Sequence, residues 1–268
     1  MPPFPNVRSV EYDGEYMYRV AMKTMSTSLF PQVEELRLAG FSLESLADLA
    51  TIVSRCGRLK SLSLDSIHVG QRESPVFPTI SESTNPDLTT LEELVVKGLG
   101  IDPGNFIAKL LQQYPSHSLR TLAFNHCDEN QACSVDAIEK LLQSFAPSLV
   151  NLVIDPSFAE IDDNSAMFGR LPVFSALESL TVWLEHSRCA EDAIRTLQAP
   201  NLTRLIFRLD LPYLYYDDVR DDFGELLEEI FPWNTSESVK ATISRKFPSC
   251  RRIAFHFCIP KDSQMHYR

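Results

Sequence analysis

The side chains best suited to chemistry in this 268-residue chain are a handful of histidines, cysteines, arginines and paired acids. His126, Cys127 and Cys133 lie close together, with His186 and Cys189 further along. Such residues bind zinc, but structural zinc sites place their cysteines in closely spaced pairs, and no CxxC occurs in the chain. The signatures GxSxG, GxxxxGK and HExxH are likewise absent, so neither a nucleophile elbow, a phosphate cradle nor a zincin helix can be assigned. Glu34-Glu35, Glu92-Glu93 and Asp162-Asp163 could in principle exchange protons, yet the pairs fit solvated loop or edge positions better. The sequence assigns no catalytic, cofactor-binding or metal-binding residue.

A second set is of a different kind. Arg204, Arg208, Arg252 and His256 stand near Trp183 in a chain whose net charge is -11. Arg and Trp are enriched at binding hot spots, and clustered Arg suits carboxylate or phosphate groups. Residues so far apart in sequence need a scaffold that brings them together.

That scaffold is announced by an LxxLxL pattern with other apolar residues standing in for Leu. It reads Val33-Leu36-Leu38, Leu59-Leu62-Leu64, Leu91-Leu94-Val96, Leu119-Leu122-Phe124, Leu149-Leu152-Ile154, Leu177-Leu180-Val182 and Leu202-Leu205-Phe207. Weaker copies, Val7-Val10-Tyr12 and Cys250-Ile253-Phe255, flank these. The first eight copies begin 25 to 32 residues apart and the last follows after 48, the range of a leucine-rich repeat with a helix in each unit. In each copy the second and third apolar residues of a short strand point inward and the residue between them points outward. One such strand cannot bury its apolar face alone. Stacked units form a parallel sheet with a continuous core behind it.

The expected architecture is therefore α/β: a leucine-rich-repeat solenoid, or horseshoe, with a parallel sheet on the concave face, helices on the convex face and eight or nine irregular repeats. It is read as a single domain over 1-268. Three outward lanes follow. The middle lane runs Arg37, Ser63, Val95, Ala123, Val153, Thr181, Ile206 and Ala254, largely small or apolar. The lane before it includes Glu35, Ser61, Glu93, Arg204 and Arg252, and the lane after it includes Asp65, Lys97, Trp183, Arg208 and His256. An apolar strip with a polar rim is the composition of a protein-binding surface. Trp183, Arg204, Ile206, Arg208, Arg252 and His256 are the expected partner-binding residues.

Helical spacing appears between strands. Leu46, Leu49, Ala50 and Val53 follow Ser42, with Gly57 at the expected left-handed end. Phe106, Ile107, Leu110 and Leu111 form another set. Ser134 is the expected N-cap of a helix carrying Val135, Ile138, Leu141, Leu142 and Phe145, which Pro147 ends. An acidic insertion at about 210-246 carries Asp217, Asp218, Asp221, Asp222, Glu225, Glu228 and Glu229, with a helix expected over 221-231. This insertion could cover the basic residues as readily as a ligand could. The Ser-, Thr- and Pro-rich stretch 70-87 reads as a surface loop.

The excess of 36 acidic over 25 basic residues argues against nucleic acid or an anionic membrane as the main partner. No run is long and apolar enough for a membrane span, and the first residues hold no apolar h-region. A cytoplasmic or nuclear location is expected, with the six cysteines reduced. Cys127 and Cys258 sit three residues past their strands' last core position, and Cys56 just before a strand. All three read as structural, since a buried thiol behaves as a small hydrophobe.

The segments FPNVRSVEY, FPQVEELRL and FPSCRRIAF, with the late insertion ending EEIFPWNTSESV, resemble the leucine-rich-repeat region of fungal F-box proteins. The resemblance implies ribonuclease-inhibitor-like repeats that select a target for a ubiquitin ligase, docked to its adaptor through an F-box ahead of the repeats. The first copy here already begins at Val7, so a ligase adaptor is expected as a partner only if an F-box exists upstream. The expected function is non-enzymatic recognition of a protein target, acidic or phosphorylated, as part of an F-box-type ligase. A free-standing scaffold without ligase docking is the alternative, and an enzyme would need a site on the loops.

Overall fold

The structure is a computed structural model describing residues 6–13, 32–40, 42–43, 49, 52–53, 56–69, 89–97, 111, 118–125, 135–154, 171–183, 196–210, 241 and 243–258. The chain divides into two compact units, Met1–Leu141 and Leu142–Arg268.

In the first unit, strands β1 (Ser9–Asp13), β2 (Glu35–Ala39), β4 (Ser61–Asp65), β6 (Glu93–Lys97) and β7 (Thr121–Asn125) pair in parallel in that order. Their register lines up Val10, Leu36, Leu62, Leu94 and Leu122 in one row and Tyr12, Leu38, Leu64, Val96 and Phe124 in another. These are the second and third apolar positions of the motif, and from β2 onward all are buried. The first apolar residues, Val33, Leu59, Leu91 and Leu119, are fully buried just ahead of their strands. Each repeat thus drives three side chains into one core, at about 1.5–3 kcal/mol per fully buried aliphatic side chain. The architecture is that of a leucine-rich-repeat solenoid.

A shared backbone device sets the register. The carbonyl one residue before each strand accepts two amides from the next repeat: Arg8 O from Glu34 and Glu35, Glu34 O from Lys60 and Ser61, Lys60 O from Glu92 and Glu93, and Glu92 O from Arg120 and Thr121, at 2.7–3.0 Å. Because a one-residue slip would turn every core side chain outward, these bonds and the apolar pattern enforce the same pairing. A second, two-stranded sheet pairs β3 (Ser42–Leu43) with β5 (His68–Val69).

The turns differ from expectation at one place. Ser42 lies in β3, and beyond it Leu49 and Val53 are helical and buried as the spacing predicts, joined by Ile52, while Leu46 and Ala50 lie outside the described residues. Gly57 is not left-handed. The positive φ values fall at Gly40 (66°) and Ser66 (53°), each one residue past its strand, where Gly40 N–H donates to Asp65 O and Ser66 N–H to Lys97 O, both at 2.9 Å. A sharp exit from the strand, not a helix end, creates the demand for that conformation.

Helix α1 (Val135–Phe145) leads into the second unit at the expected place. Its end is closed by Ala146 N–H on Leu142 O at 2.8 Å and by the Ser148 amide and hydroxyl on Phe145 O, with Pro147 between them. Strands β8 (Asn151–Ile154), β9 (Ser179–Trp183), β10 (Arg204–Asp210) and β11 (Arg252–Cys258) then pair in parallel. The double-amide carbonyl recurs at Val150, Glu178 and Thr203. Cys258 is the last residue of β11, at the position where the chain leaves the strand. Ser134, Phe106, Ile107, Leu110, 70-87 and the insertion helix lie outside the described residues.

Candidate functional site

The strands of the second unit bring the six sequence-selected residues onto adjacent register positions. Trp183 of β9, Arg208 of β10 and His256 of β11 form one row, Thr181, Ile206 and Ala254 the next, and Ser179, Arg204 and Arg252 the third. Neighbouring strands lie about 4.8 Å apart, and the outer rows are four residues apart, about 13 Å along the strand. Six residues spread over 74 positions of sequence therefore occupy one patch on the outward side of the sheet.

Within it the side chains are not equivalent. The Arg208 guanidinium carbon stands 4.0 Å from the centre of the Trp183 ring, within range of a cation–π contact. The Trp183 indole N–H is buried and, among the described residues, has no hydrogen-bond acceptor. Arg204, Arg252 and His256 are exposed. Arg204 and Arg252 are direct ladder partners, and among the described residues neither has an ion-pair partner. Like charges placed opposite one another on a sheet oppose its pairing, so this position gains from an anion.

The equivalent surface of the first unit is arranged the other way. Arg37 lies between acids, 3.2 Å from Glu11 and 4.0 Å from Asp65. Ser61 donates to Glu93 at 2.7 Å, and Lys60 to Glu34 at 2.9 Å. That contact holds the Glu34 carboxyl below, and the Lys60 ammonium above, its ordinary range. Here the charges are internally matched.

The apolar strip expected in the middle lane is not bare throughout. Ile206 and Ala123 are each only 7% exposed, so neither presents much surface. Conversely, Ile253 and Phe255, at core positions of the motif, are 41% and 46% exposed. Sequence spacing assigns a face but not what covers it, and β11 is paired on one side only among the described strands.

No group of three or more potential metal ligands occurs among the described residues. His126, Cys127, Cys133, His186 and Cys189 lie outside them. Cys56 is buried, its thiol 3.7 Å from Ile52 O, and burial pushes its pKa up to about 11. Such a thiol is a poor nucleophile at neutral pH, in keeping with a packing role. No helix among the described residues is long and apolar enough to cross a membrane.

No family model matches the chain, and no curated protein does. Among solved structures it is similar to the leucine-rich repeat-containing protein LegL7 from Legionella pneumophila, at 15% identity over 98% of this chain and 86% of that one, with a TM-score of 0.45. So distant a likeness carries nothing about partner or activity. The strand register and its buried leucine rows are what make this chain a leucine-rich-repeat solenoid.

Proposed function

We propose that the chain is a non-enzymatic protein-interaction module that recognises an acidic or phosphorylated segment of a protein target on the outward face of β9, β10 and β11. The observation that carries this reading is the side-by-side placement of Arg204 and Arg252, exposed and without a described counter-ion, beside the Arg208–Trp183 pair. A carboxylate or phosphate seated between two guanidiniums turns a repulsive pair into charge-assisted hydrogen bonds. Trp183 and Arg208 supply an adjoining flat platform. Ile206, being covered, acts as the floor of the patch rather than as a contact.

By its resemblance to the repeat region of fungal F-box proteins, the module would select targets for a ubiquitin ligase, with the adaptor engaged elsewhere. A free-standing scaffold would use the same patch. The recognition step is tested with a fluorescent phosphoserine peptide flanked by Glu, its unphosphorylated form and a Lys-substituted control, measured by anisotropy. The phosphorylated peptide should bind best, more weakly as salt rises, and the Arg204→Glu/Arg252→Glu variant should lose at least about tenfold in affinity, as charged hot spots do. Equal binding of all three peptides, or an unchanged variant, overturns the proposal.

A further inference from the structure

The cations of the patch are gathered on two strands rather than spread over the second unit. Stepping along the Arg204 row toward β8, the ladder partners become Ser179 and then Asn151, and Glu178 stands exposed at the entry to β9. The middle row likewise runs from Ile206 to Thr181 and Val153. An anionic ligand laid across the strands would leave the cations behind after β10 and meet the Glu178 carboxylate, which repels it.

Along the strands the pattern is different. Arg204 and Arg252 form one register pair, and Arg208 and His256 form another four residues further on. At about 3.3 Å per residue the two pairs stand about 13 Å apart. Arg252 and His256 are both exposed, and neither has an ion-pair partner among the described residues. Ala254, between them on β11, carries nothing beyond Cβ, so a ligand backbone can come close to the sheet there. His256 offers an anion a ring N–H in either tautomer.

We infer that the target binds as an extended segment running along β10 and β11, with two anionic side chains four positions apart, one between Arg204 and Arg252 and the other at His256. This rests on the acidic or phosphorylated target proposed above and adds its direction and spacing. An extended chain advances at the same rate as the strands below it, and its side chains at i, i+2 and i+4 share one face. Anionic groups at i and i+4 therefore meet both contacts at once, while i+2 lies over Ala254 and Ile206. Once the first group is seated, the second binds at high local concentration, so correct spacing multiplies affinity. A helical segment would cover the same distance only with groups about eight or nine residues apart.

Peptides of one length on a neutral background test this by anisotropy: a single phosphoserine, and phosphoserine pairs at i,i+1, i,i+4 and i,i+8. The i,i+4 pair should bind at least about tenfold more tightly than the other pairs, which carry the same charge. His256→Ala, a change at an exposed position, should weaken the i,i+4 pair by about tenfold and leave the single phosphoserine unaffected. Arg204→Glu/Arg252→Glu should weaken every peptide. If the three pairs bind alike, or another spacing binds best, while the arginine variant still loses them, the anionic target stands and the spacing is overturned. An unchanged i,i+4 affinity in His256→Ala removes the second contact and overturns the inference as well. If no peptide binds the native chain, the target and its spacing are overturned together.

Discussion

Arg208 lies over the face of Trp183, 4.0 Å from the guanidinium carbon to the ring centre, across the ladder between β9 and β10. The two residues are register partners, so the contact follows from strand pairing and side-chain length. It fixes the end of the guanidinium against the sheet and limits the side-chain freedom that a ligand would otherwise have to restrict. Preorganisation of this kind favours binding without adding contacts.

Replacing Arg208 by Ala should therefore act on stability and recognition together. Loss of the cation–π contact is expected to lower unfolding free energy by about 0.5–1 kcal/mol, read by urea denaturation. Arg208→Lys keeps the charge but loses the planar stack. If the two variants are equally stable, the retained charge adds nothing and the planar stacking is what holds Trp183; a Lys variant as stable as the native chain would assign the contact to the charge.

The depth of the leucine rows predicts a second contrast. Leu62 is fully buried between Leu36 and Leu94, and Leu62→Ala should destabilise by about 2–5 kcal/mol. Ile253 holds the equivalent motif position but is 41% exposed, so Ile253→Ala should cost well under half as much. Equal losses in thermal or chemical unfolding would show that β11 is covered in solution.

That contrast marks the limit of what the sequence discloses. Spacing alone gives the strands, their register and the row that unites Trp183, Arg208 and His256, because a period-two strand and a recurring LxxLxL motif leave no other arrangement that buries all the leucines. Boundaries of coverage are another matter. Ile206 and Ile253 are equally apolar in the string of letters, yet the outward one is covered and the inward one exposed. The pairing of Ser42–Leu43 with His68–Val69 is too short for any alternation to betray it. The left-handed residues were equally hidden, since Ser66 takes a conformation that residue type alone would assign to Gly57.

Ser66 supplies a test of that last point. Its φ of 53° is unfavourable for a residue with a Cβ, and Gly removes the clash. Ser66→Gly should be neutral or stabilising by up to about 1 kcal/mol even after losing the Ser66 hydroxyl bond to Asp65 at 3.0 Å. The reverse exchange, Gly40→Ser, should destabilise. At Gly57 an added Cβ meets nothing within 4 Å and φ is ordinary, so Gly57→Ala should stabilise by about 0.4–1 kcal/mol. Thermal midpoints of the three variants decide the matter, and a destabilised Gly57→Ala would return the left-handed turn to that position.

Cys56 gives the last prediction, a dependence on pH. Burial holds its thiol protonated up to about 11, against an ordinary value of 9.0. Between those values the unfolded chain releases the proton while the folded chain keeps it, so the unfolded state binds fewer protons and stability falls as pH rises. Below pH 9 the group has no effect; above it the loss approaches ~1.4 kcal/mol per pH unit until the folded thiol also ionises. Cys56→Ala should remove this component, so the difference in unfolding free energy between native and variant should be flat from pH 7 to 8.5 and then shift in the variant's favour. At pH 8 the native thiol should also resist alkylation until the chain unfolds, because the thiolate is the reacting species. A difference that stays constant to pH 10.5, together with rapid alkylation of the folded chain, would mean that Cys56 is accessible and its packing role is misassigned.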